Sequence, residues 1–392
     1  MKKIILLFVV AFVCVFSTGD LFAKGKVKVD KALEHAARQY LYMRDELKGT
    51  NQFPKTYDKH MQRLKTSNSE WWCSGFYPGT LFYLYEETGN EELYAEGVRM
   101  LKLLEPEQYN VNTHDVGFMM YCSYGNANRI APKSGYKDIM VNSARSLITR
   151  FSPVVGCIKS HNRGSDDYVV IIDNMMNLEL LMFASKAFDN DTLEYVARTH
   201  ANTTLKNHFR KDYSSYHLVD YDPEDGHVRS RQTVQGYSNE SSWGRGQAWA
   251  LYGYTMMFRM TGDEKYLEHA ENIADMLLSR LPVDGIPYWD FDAPNGNEYR
   301  DASAGAIMAS AFVELSGFAT DEKARQNYLS IAEKQLRTLA SSHYLAEPGT
   351  NCNFILKHSV GNLPEKSEVD VPLSYADYYF LEALLRYKKA MG

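Results

Sequence analysis

The feature that most constrains the fold is an amphipathic helical pattern that recurs along the whole sequence. Short polar turns introduce five such stretches, at Gly89, Gly135, Asn190, Gly262 and Asp321. Acidic residues in the opening turn and basic residues near the end are the usual signals of a helix. With a further stretch at residues 31–47, the sequence predicts six amphipathic helices.

Six shorter, more apolar or aromatic helices are predicted between them. They begin near Pro78, Asp115, Asp173, Trp243, Asp301 and Ser374. Strand signals are confined to short pieces such as "SSYHLVDYD" (214–222) and "GIPYWDFD" (285–292). Six hairpins without a Pro/Gly/Ser linker predict an all-α fold, a single closed α/α toroid. An open solenoid is the alternative, but it would need polar capping repeats at both ends.

The N-terminus has the pattern of a secretory signal peptide. Two lysines precede an apolar stretch at residues 4–16, and small residues allow cleavage after Ala23. The stretch is too short to span a membrane. We therefore expect residues 1–23 to be removed on export, most simply to the periplasm, and residues 24–392 to form one helical domain.

Composition excludes several classes of function. The net charge of −6, without a basic cluster, argues against a nucleic-acid partner or an anionic membrane surface. No later segment is long and apolar enough to span a bilayer. The cysteines that remain after cleavage have no zinc-ligand spacing, so we expect no metal site and interpret them as buried apolar residues. They are Cys73, Cys122, Cys157 and Cys352.

Asp173 is the most unusual residue of the second, more apolar set of predicted helices. It follows the apolar run at residues 168–172 directly, where an ionised carboxylate is costly unless something pairs with it or uses it. One interpretation is a helix N-cap, for which Asp is favoured. The other is a functional acid. For Asp301 and Asp377, which also begin predicted helices, we retain the structural interpretation.

Other polar and aromatic residues cluster where the second set of helices begins. In a hairpin toroid the inner helices run in one direction, so their N-termini open on one face and favour an anionic ligand. Tryptophans beside polar side chains are typical of a site that binds a sugar. The alternative is that Trp72, Trp243 and Trp249 are simply core residues. Structural alternatives also exist for His114 and His217, as hydrogen-bonded histidines, and for Arg245, as a surface or capping arginine.

Several motifs together resemble glycoside hydrolase family 88, the unsaturated glucuronyl hydrolases. The specific ones are "IIDNMMNLELL", "SSYHLVDYDP", "ESSWGRGQAWALYGY" and "YRDASAGAI", with "HDVGF" and "GFYPG" in support, and the correspondence runs in order between residues 70 and 386. The resemblance implies an (α/α)6 barrel and a reaction without metal or cofactor. It also implies a substrate: glycosaminoglycan oligosaccharides, left by a polysaccharide lyase, that carry a 4,5-unsaturated uronic acid at the non-reducing end.

Matched position by position, the resemblance implies that Asp173 is the catalytic acid and base and that Asp115 is a second essential carboxylate. The implied substrate contacts are Trp72, His114, His217, Gln235, Arg245 and Trp249. Val234 departs from the family, which often has His there, and the "KHSVGNLPEKSEVD" segment aligns poorly with it. The family reaction hydrates a vinyl ether, which favours the catalytic interpretation of Asp173.

Three rival functions remain to be compared. The related family 105, the unsaturated rhamnogalacturonyl hydrolases, shares the toroid and the chemistry, but "DNMMN" and "SSYHLVDYDP" favour family 88. A non-catalytic periplasmic sugar-binding protein would not need both Asp115 and Asp173. An inverting glycosidase that acts on saturated sugars is the third rival.

Overall fold

A computed structural model describes residues 27–162, 164, 166–294 and 299–392, so the predicted signal peptide lies outside the described residues. The helices are α1 (Val29–Leu47), α2 (Phe76–Thr88), α3 (Glu91–Leu104), α4 (Val116–Met120), α5 (Asn126–Ile130), α6 (Tyr136–Ile148), α7 (Leu178–Phe188), α8 (Asp191–Asn207), α9 (Gly244–Thr261), α10 (Glu264–Arg280), α11 (Ala302–Ser316), α12 (Glu322–Leu339) and α13 (Ser374–Met391). None of these helices is both long enough and apolar enough to span a membrane.

The helices form two concentric rings. The outer ring consists of α1, α3, α6, α8, α10 and α12, and the inner ring of α2, α4 with α5, α7, α9, α11 and α13. A π-helical turn, Tyr121–Gly125, joins α4 to α5. The inner ring closes because α13 packs against both α11 and α2. The predicted (α/α)6 barrel is confirmed, and the open solenoid is wrong.

Burial distinguishes the two rings. In α11, every residue except Glu314 is buried, and in α9 the buried run is continuous from Gly244 to Met257. A helix that is apolar on all sides belongs in a core, whereas α10 and α12 bury one face and expose the other. The small residues of α11 let its neighbours approach closely; at Gly305 the side chain of Ile286 would be 3.1 Å from an added Cβ.

The predicted turn residues lie at helix ends. Gly89 and Gly262 adopt left-handed conformations that end α2 and α9. The side chains of Asn190 and Asp321 accept backbone N–H bonds that cap α8 and α12. The turns therefore define the hairpins as predicted.

The strands all lie on connections that lead from an outer helix to the next inner helix. They are β1 (Phe53–Asp58), β2 (Arg63–Ser67), β3 (Phe151–Ser152), β4 (Cys157–Ile158), β5 (Tyr168–Ile171), β6 (Leu218–Tyr221), β7 (Val228–Gln232), β8 (Ser359–Asn362) and β9 (Ser367–Val371). All the pairs are antiparallel, and β6 is central in the sheet β5–β6–β7. The strands therefore lie at the end of the barrel where the inner helices begin.

One strand prediction is confirmed and the other is wrong. The "SSYHLVDYD" segment contains β6, with Leu218 opposite Ile171. The "GIPYWDFD" segment makes only isolated bridges, among them that of Asp290 with Trp243. Pro287 has no backbone N–H to donate to a neighbouring strand. The Asp290 carboxylate accepts hydrogen bonds from the Tyr237 N–H and the Ser241 hydroxyl. These side-chain bonds replace strand pairing.

Candidate active site

Two carboxylates lie where neighbouring inner helices begin. Asp115 immediately precedes α4, and Asp173 lies in the 3-10 turn Ile172–Asn177 that leads into α7. Their side chains are 14% and 12% exposed, respectively. Helix α4 packs against α7 and against this turn. The fold therefore brings the two carboxylates predicted to be catalytic to the same end of the barrel.

Asp173 does not cap a helix. Its turn is preceded by Ile171, and no side chain caps either this turn or α7. The turn follows β5 directly, and the Ile172 N–H donates to the His217 carbonyl at 2.9 Å, which ties it to β6. The Asp173 Oδ2 atom is buried without a hydrogen bond to any described residue. The capping interpretation is therefore wrong.

The surroundings of Asp173 stabilise its protonated form. Burial raises the pKa of its carboxyl to about 7, and the nearby Asp115 carboxylate acts in the same direction. The Arg245 guanidinium opposes this rise in pKa, as does the indole of Trp249. The effects that raise the pKa therefore outweigh those that lower it.

Asp115 is also buried, and burial raises the pKa of its carboxyl. The cationic form of His161 and the hydroxyl of Thr113 lower that pKa in part. The Thr113 hydroxyl donates to Asp115 Oδ2 at 3.3 Å, and the Nε2 atom of His114 lies 3.5 Å from the same oxygen. Asp115 is thus held by its own loop, beside a histidine.

Each of the two predicted histidines lies beside one of the two carboxylates. His114 is 1% exposed, and burial, with help from Arg150, lowers its pKa to about 3, so its ring is neutral near pH 7. The Nε2 atom of His217 lies 3.8 Å from Asp173 Oδ2, while its Nδ1 accepts the Gln235 N–H at 3.3 Å. Val234, where the family often has His, packs on the apolar residues of β5 and β6.

Aromatic rings line the inner ring at this end. Trp72 is half-buried, with its ring centroid 5.0 Å from that of Tyr375 and 5.5 Å from that of Phe118. Phe118 in turn lies 5.1 Å from Trp249. Trp249 is fully buried, yet its indole N–H makes no hydrogen bond with the described residues. The aromatic wall therefore contains a buried N–H donor close to Asp173.

Arg245 is neither a surface residue nor a cap. It is 3% exposed and lies over the ring of Trp243, at 4.5 Å. It donates to the carbonyls of Val360 and Gly361 in β8 and to Gln235 Oε1 at 2.9 Å. Its Nε atom is buried without a partner in the described part of the chain. Arg245 thus fastens β8 to the start of α9.

The remaining aspartates have the structural roles expected for them. Asp301 caps α11, because its Oδ1 atom accepts the Ser303 N–H at 3.0 Å. Asp377 accepts the backbone N–H groups of Ile355 and Leu356 and the hydroxyl of Tyr40. Both carboxylates are fully buried, and the Oδ2 atom of Asp301 lies 3.5 Å from an Arg245 nitrogen.

Sequence reasoning missed the β8–β9 hairpin, which forms one side of the site. Glu368 of β9 pairs with Lys55 of β1 at 3.3 Å, and the Lys55 ammonium lies 3.6 Å from the ring centroid of Trp71. It also missed Asn177, which lies on the same turn as Asp173. The available signal for Asn177 was its spacing, four residues after Asp173 within a buried run.

The opposite end of the barrel holds a cavity of about 830 Å³ that does not include either carboxylate. Charged residues line it, but they pair with one another: Arg259 contacts Glu179 at 2.7 Å, and Arg386 contacts Glu314 at 2.8 Å. The two carboxylates predicted to be catalytic therefore lie outside this cavity, at the end where the inner helices begin.

Comparisons with known proteins identify the family of this chain and relatives that share its fold. The sequence model of Glycosyl Hydrolase Family 88 matches residues 46–362. The chain is 43% identical to the unsaturated glucuronyl hydrolase of Formosa agariphila, over 86% of this chain and 85% of that protein. A solved unsaturated glucuronyl hydrolase specific for heparin is 47% identical, with a TM-score of 0.89 over 92% of this chain and 97% of the other.

A third relative was solved with a sugar bound. It is a mutant unsaturated glucuronyl hydrolase from Streptococcus agalactiae in complex with dGlcA-GalNAc6S. This chain is 26% identical to it, with a TM-score of 0.78, over 93% of this chain and 92% of the other.

Proposed function

We propose that this chain, which belongs to Glycosyl Hydrolase Family 88, is an unsaturated glucuronyl hydrolase. It removes the 4,5-unsaturated uronic acid from the non-reducing end of glycosaminoglycan oligosaccharides that a lyase has cut. The observation that carries the proposal is the buried Asp173 carboxyl, with a pKa of about 7 and a second carboxylate, Asp115, close by.

The reaction begins with a proton transfer to carbon. The 4,5-unsaturated uronate is a vinyl ether, so protonation at C4 places positive charge at C5, where the ring oxygen stabilises it. Asp173 donates this proton, and water then adds at C5. The Asp173 carboxylate takes a proton from that water and is regenerated. The resulting hemiketal opens, the bond between C1 and the glycosidic oxygen breaks, and a 4-deoxy-5-keto uronate leaves.

The properties of Asp173 suit both halves of this cycle. A group that first gives and then takes a proton works best when its pKa lies near the operating pH. A pKa of about 7 leaves both forms of Asp173 populated at neutral pH. Its Oδ2 atom is not engaged by any described side chain, so it is available to substrate and water.

The surrounding groups suit an anionic sugar. Aromatic faces such as that of Trp72 can stack on the apolar face of a sugar ring. The starts of the inner helices favour the uronate charge. Gln235 and the Nε atom of Arg245 are the nearby polar groups that we assign to the uronate carboxylate, with His217 beside Asp173.

We propose heparin as the polysaccharide from which the preferred substrate derives. The heparin-specific relative is 47% identical to this chain, against 26% for the relative solved with dGlcA-GalNAc6S. Unsaturated disaccharides made by heparin lyase and by chondroitin lyase would be compared at equal concentration. A higher kcat/KM for the heparin disaccharide supports this preference, and a higher value for the chondroitin disaccharide rejects it.

The cellular setting is also a proposal. A signal peptide at residues 1–23 would deliver residues 24–392, as one catalytic domain, to the periplasm. There a polysaccharide lyase must act first, because only β-elimination creates the 4,5 double bond. Fractionation of the producing cell and N-terminal sequencing of the protein test this: a mature start at Lys24 is expected, and an unprocessed cytoplasmic protein would contradict it.

The function itself is tested by incubating the purified protein with unsaturated glycosaminoglycan disaccharides. Loss of the ultraviolet absorbance of the conjugated uronate, with release of a keto-uronate seen by mass spectrometry, is expected. A sugar-binding protein or a glycosidase for saturated sugars would leave the absorbance unchanged. Action on unsaturated rhamnogalacturonan disaccharides alone would favour the substrate specificity of family 105.

A further inference from the structure

We infer that Asn177 is a positioning residue that fixes the Asp115 carboxylate relative to Asp173, an inference that rests on the proposed function for its catalytic meaning. Asn177 ends the 3-10 turn that carries Asp173, and it is fully buried. Its side chain crosses to the start of α4, where its Oδ1 atom accepts the Phe118 N–H at 2.9 Å. One amide therefore joins the segments that carry the two carboxylates.

The backbones of these segments are in direct contact beside this bond. A Cβ atom added to Gly117 would lie 2.4 Å from the Cα and 2.7 Å from the Oδ1 of Asn177. Real Cβ atoms do not approach other atoms so closely, so glycine is required here for the approach itself. Because Gly117 is two residues from Asp115, the contact fixes the separation of the two segments next to the carboxylates.

The hydrogen bond also fixes which way the amide faces. Because Oδ1 accepts from Phe118, the Nδ2 group is directed away from that N–H. It is buried and has no hydrogen-bond partner among residues 27–162, 164, 166–294 and 299–392. A buried donor without a partner is uncommon and calls for an explanation. The Asp115 carboxyl offers the explanation for this donor, because the Asn177 amide lowers the pKa of that carboxyl against the effect of burial.

Together these contacts make the carboxylate pair a rigid unit. Asp173 and Asn177 lie on one short turn, and Asn177 holds the loop of Asp115 through backbone and side chain. The proximity of Asp115 is one of the causes that raise the pKa of Asp173. A change at Asn177 should therefore alter the ionisation of the pair as well as the placement of Asp115.

The test compares Asn177→Ala and Asn177→Asp with the parent and with Asn126→Ala. Asn126 is a suitable control because it is also a buried inner-ring asparagine, bonded to Tyr378 and the Cys122 carbonyl at the opposite end of the barrel. Asn177→Asp keeps the size and an acceptor oxygen of the residue but replaces the amide donor by an ionisable carboxyl. Each variant is assayed for melting temperature, kcat/KM against pH, and carboxyl titration by carbon-13 NMR.

We expect kcat/KM of both Asn177 variants to fall about 100-fold, the cost of a small misplacement of a reacting group. The NMR titration should show the pKa of Asp115 moving upward, whereas Asn126→Ala should lose stability and keep the parent pH profile and titration. Unchanged titration and pH profile in the Asn177 variants would overturn the inference. A parent that leaves the substrate untouched would refute the proposed function instead, and the NMR titration would still test the contact.

Discussion

The Nε2 atom of His217 lies 3.8 Å from the Oδ2 atom of Asp173, the carboxylate oxygen that no described side chain engages by hydrogen bonding. The other ring nitrogen of His217 accepts the Gln235 N–H. In the neutral ring the proton therefore sits on Nε2, facing Asp173. The separation exceeds hydrogen-bond length, so a substrate oxygen or a water that contacts both groups could bridge them during the hydration.

The most direct substitution is Asp173→Asn. It keeps the volume of the side chain but removes the titrating proton, so we expect kcat to fall by about 10²–10⁴-fold, the range typical of a lost general acid–base. The melting temperature should not fall below that of the parent, because Asp173 caps no helix. Activity on an unsaturated disaccharide and thermal unfolding measure the two quantities.

Asp377→Asn is the matched control for Asp173→Asn. Burial also raises the pKa of Asp377 to about 7, but this carboxylate accepts two backbone bonds and the Tyr40 hydroxyl. The control should lose stability and keep kcat per folded molecule. The reverse pattern in the pair, with stability lost at Asp173 and activity lost at Asp377, would exchange their roles.

The pH dependence of activity follows from the order of proton transfers. Asp173 must be protonated when substrate binds, and its pKa is about 7, so kcat/KM should fall as the pH rises through about 7. A pH–rate profile measures this. A profile that stays flat from neutral to alkaline pH would exclude Asp173 as the proton donor.

The stability of the folded chain should also depend on the ionisation of Asp173. Since the pKa of Asp173 is higher in the folded chain than the ordinary value of 3.8, its contribution to stability is present below that value and is lost as the pH rises to about 7. Asp173→Asn removes this penalty, so its melting temperature should exceed that of the parent at pH values above about 7, and the difference should shrink on acidification. A difference that does not vary with pH would contradict this linkage.

Arg245→Ala should damage both stability and binding. The side chain is 3% exposed, and its removal leaves Asp301 and the carbonyls of Val360 and Gly361 without their cationic donor. Breaking a buried ion pair typically costs about 3–5 kcal/mol of unfolding free energy. Denaturant unfolding measures this loss. Arg129→Ala is the control, because the exposed Arg129–Glu86 pair should contribute about 1 kcal/mol or less.

The binding part of this prediction uses a second substrate. KM for the uronate should rise in folded Arg245→Ala, and the methyl ester, which lacks the charge, should be affected less. Equal increases in KM for both substrates would leave Arg245 with its observed role of fastening β8 and remove it from carboxylate recognition.

The fold was largely predictable because its signals are local. Turn residues such as Gly89 and Asn190 end or cap individual helices, and the alternation of two kinds of helix predicts which ends share a face. Asp173 could be singled out because a carboxylate directly after an apolar run is costly. Helix order places Asp115 on the same face, whereas its role came from the resemblance to glycoside hydrolase family 88.

The parts that escaped prediction depend on distant contacts. The donors of Arg245 reach Val360, 115 residues away, and no local pattern indicates such a bond. The same is true of Asn177, whose partner Phe118 is 59 residues away. In the "GIPYWDFD" segment, local strand propensity yielded to the tertiary bonds of Asp290.

The central claim is that Asp173 protonates C4 of the substrate, so that water adds at C5 instead of displacing the leaving group at C1. The measurement that tests it most directly is the reaction in heavy water. The released keto-uronate is analysed by NMR and mass spectrometry before the C4 hydrogens, which lie next to its ketone, exchange with the solvent. The account predicts deuterium at C4, and no product formation at a measurable rate by Asp173→Asn. Product that carries only protium at C4 would contradict the hydration mechanism and the role of Asp173.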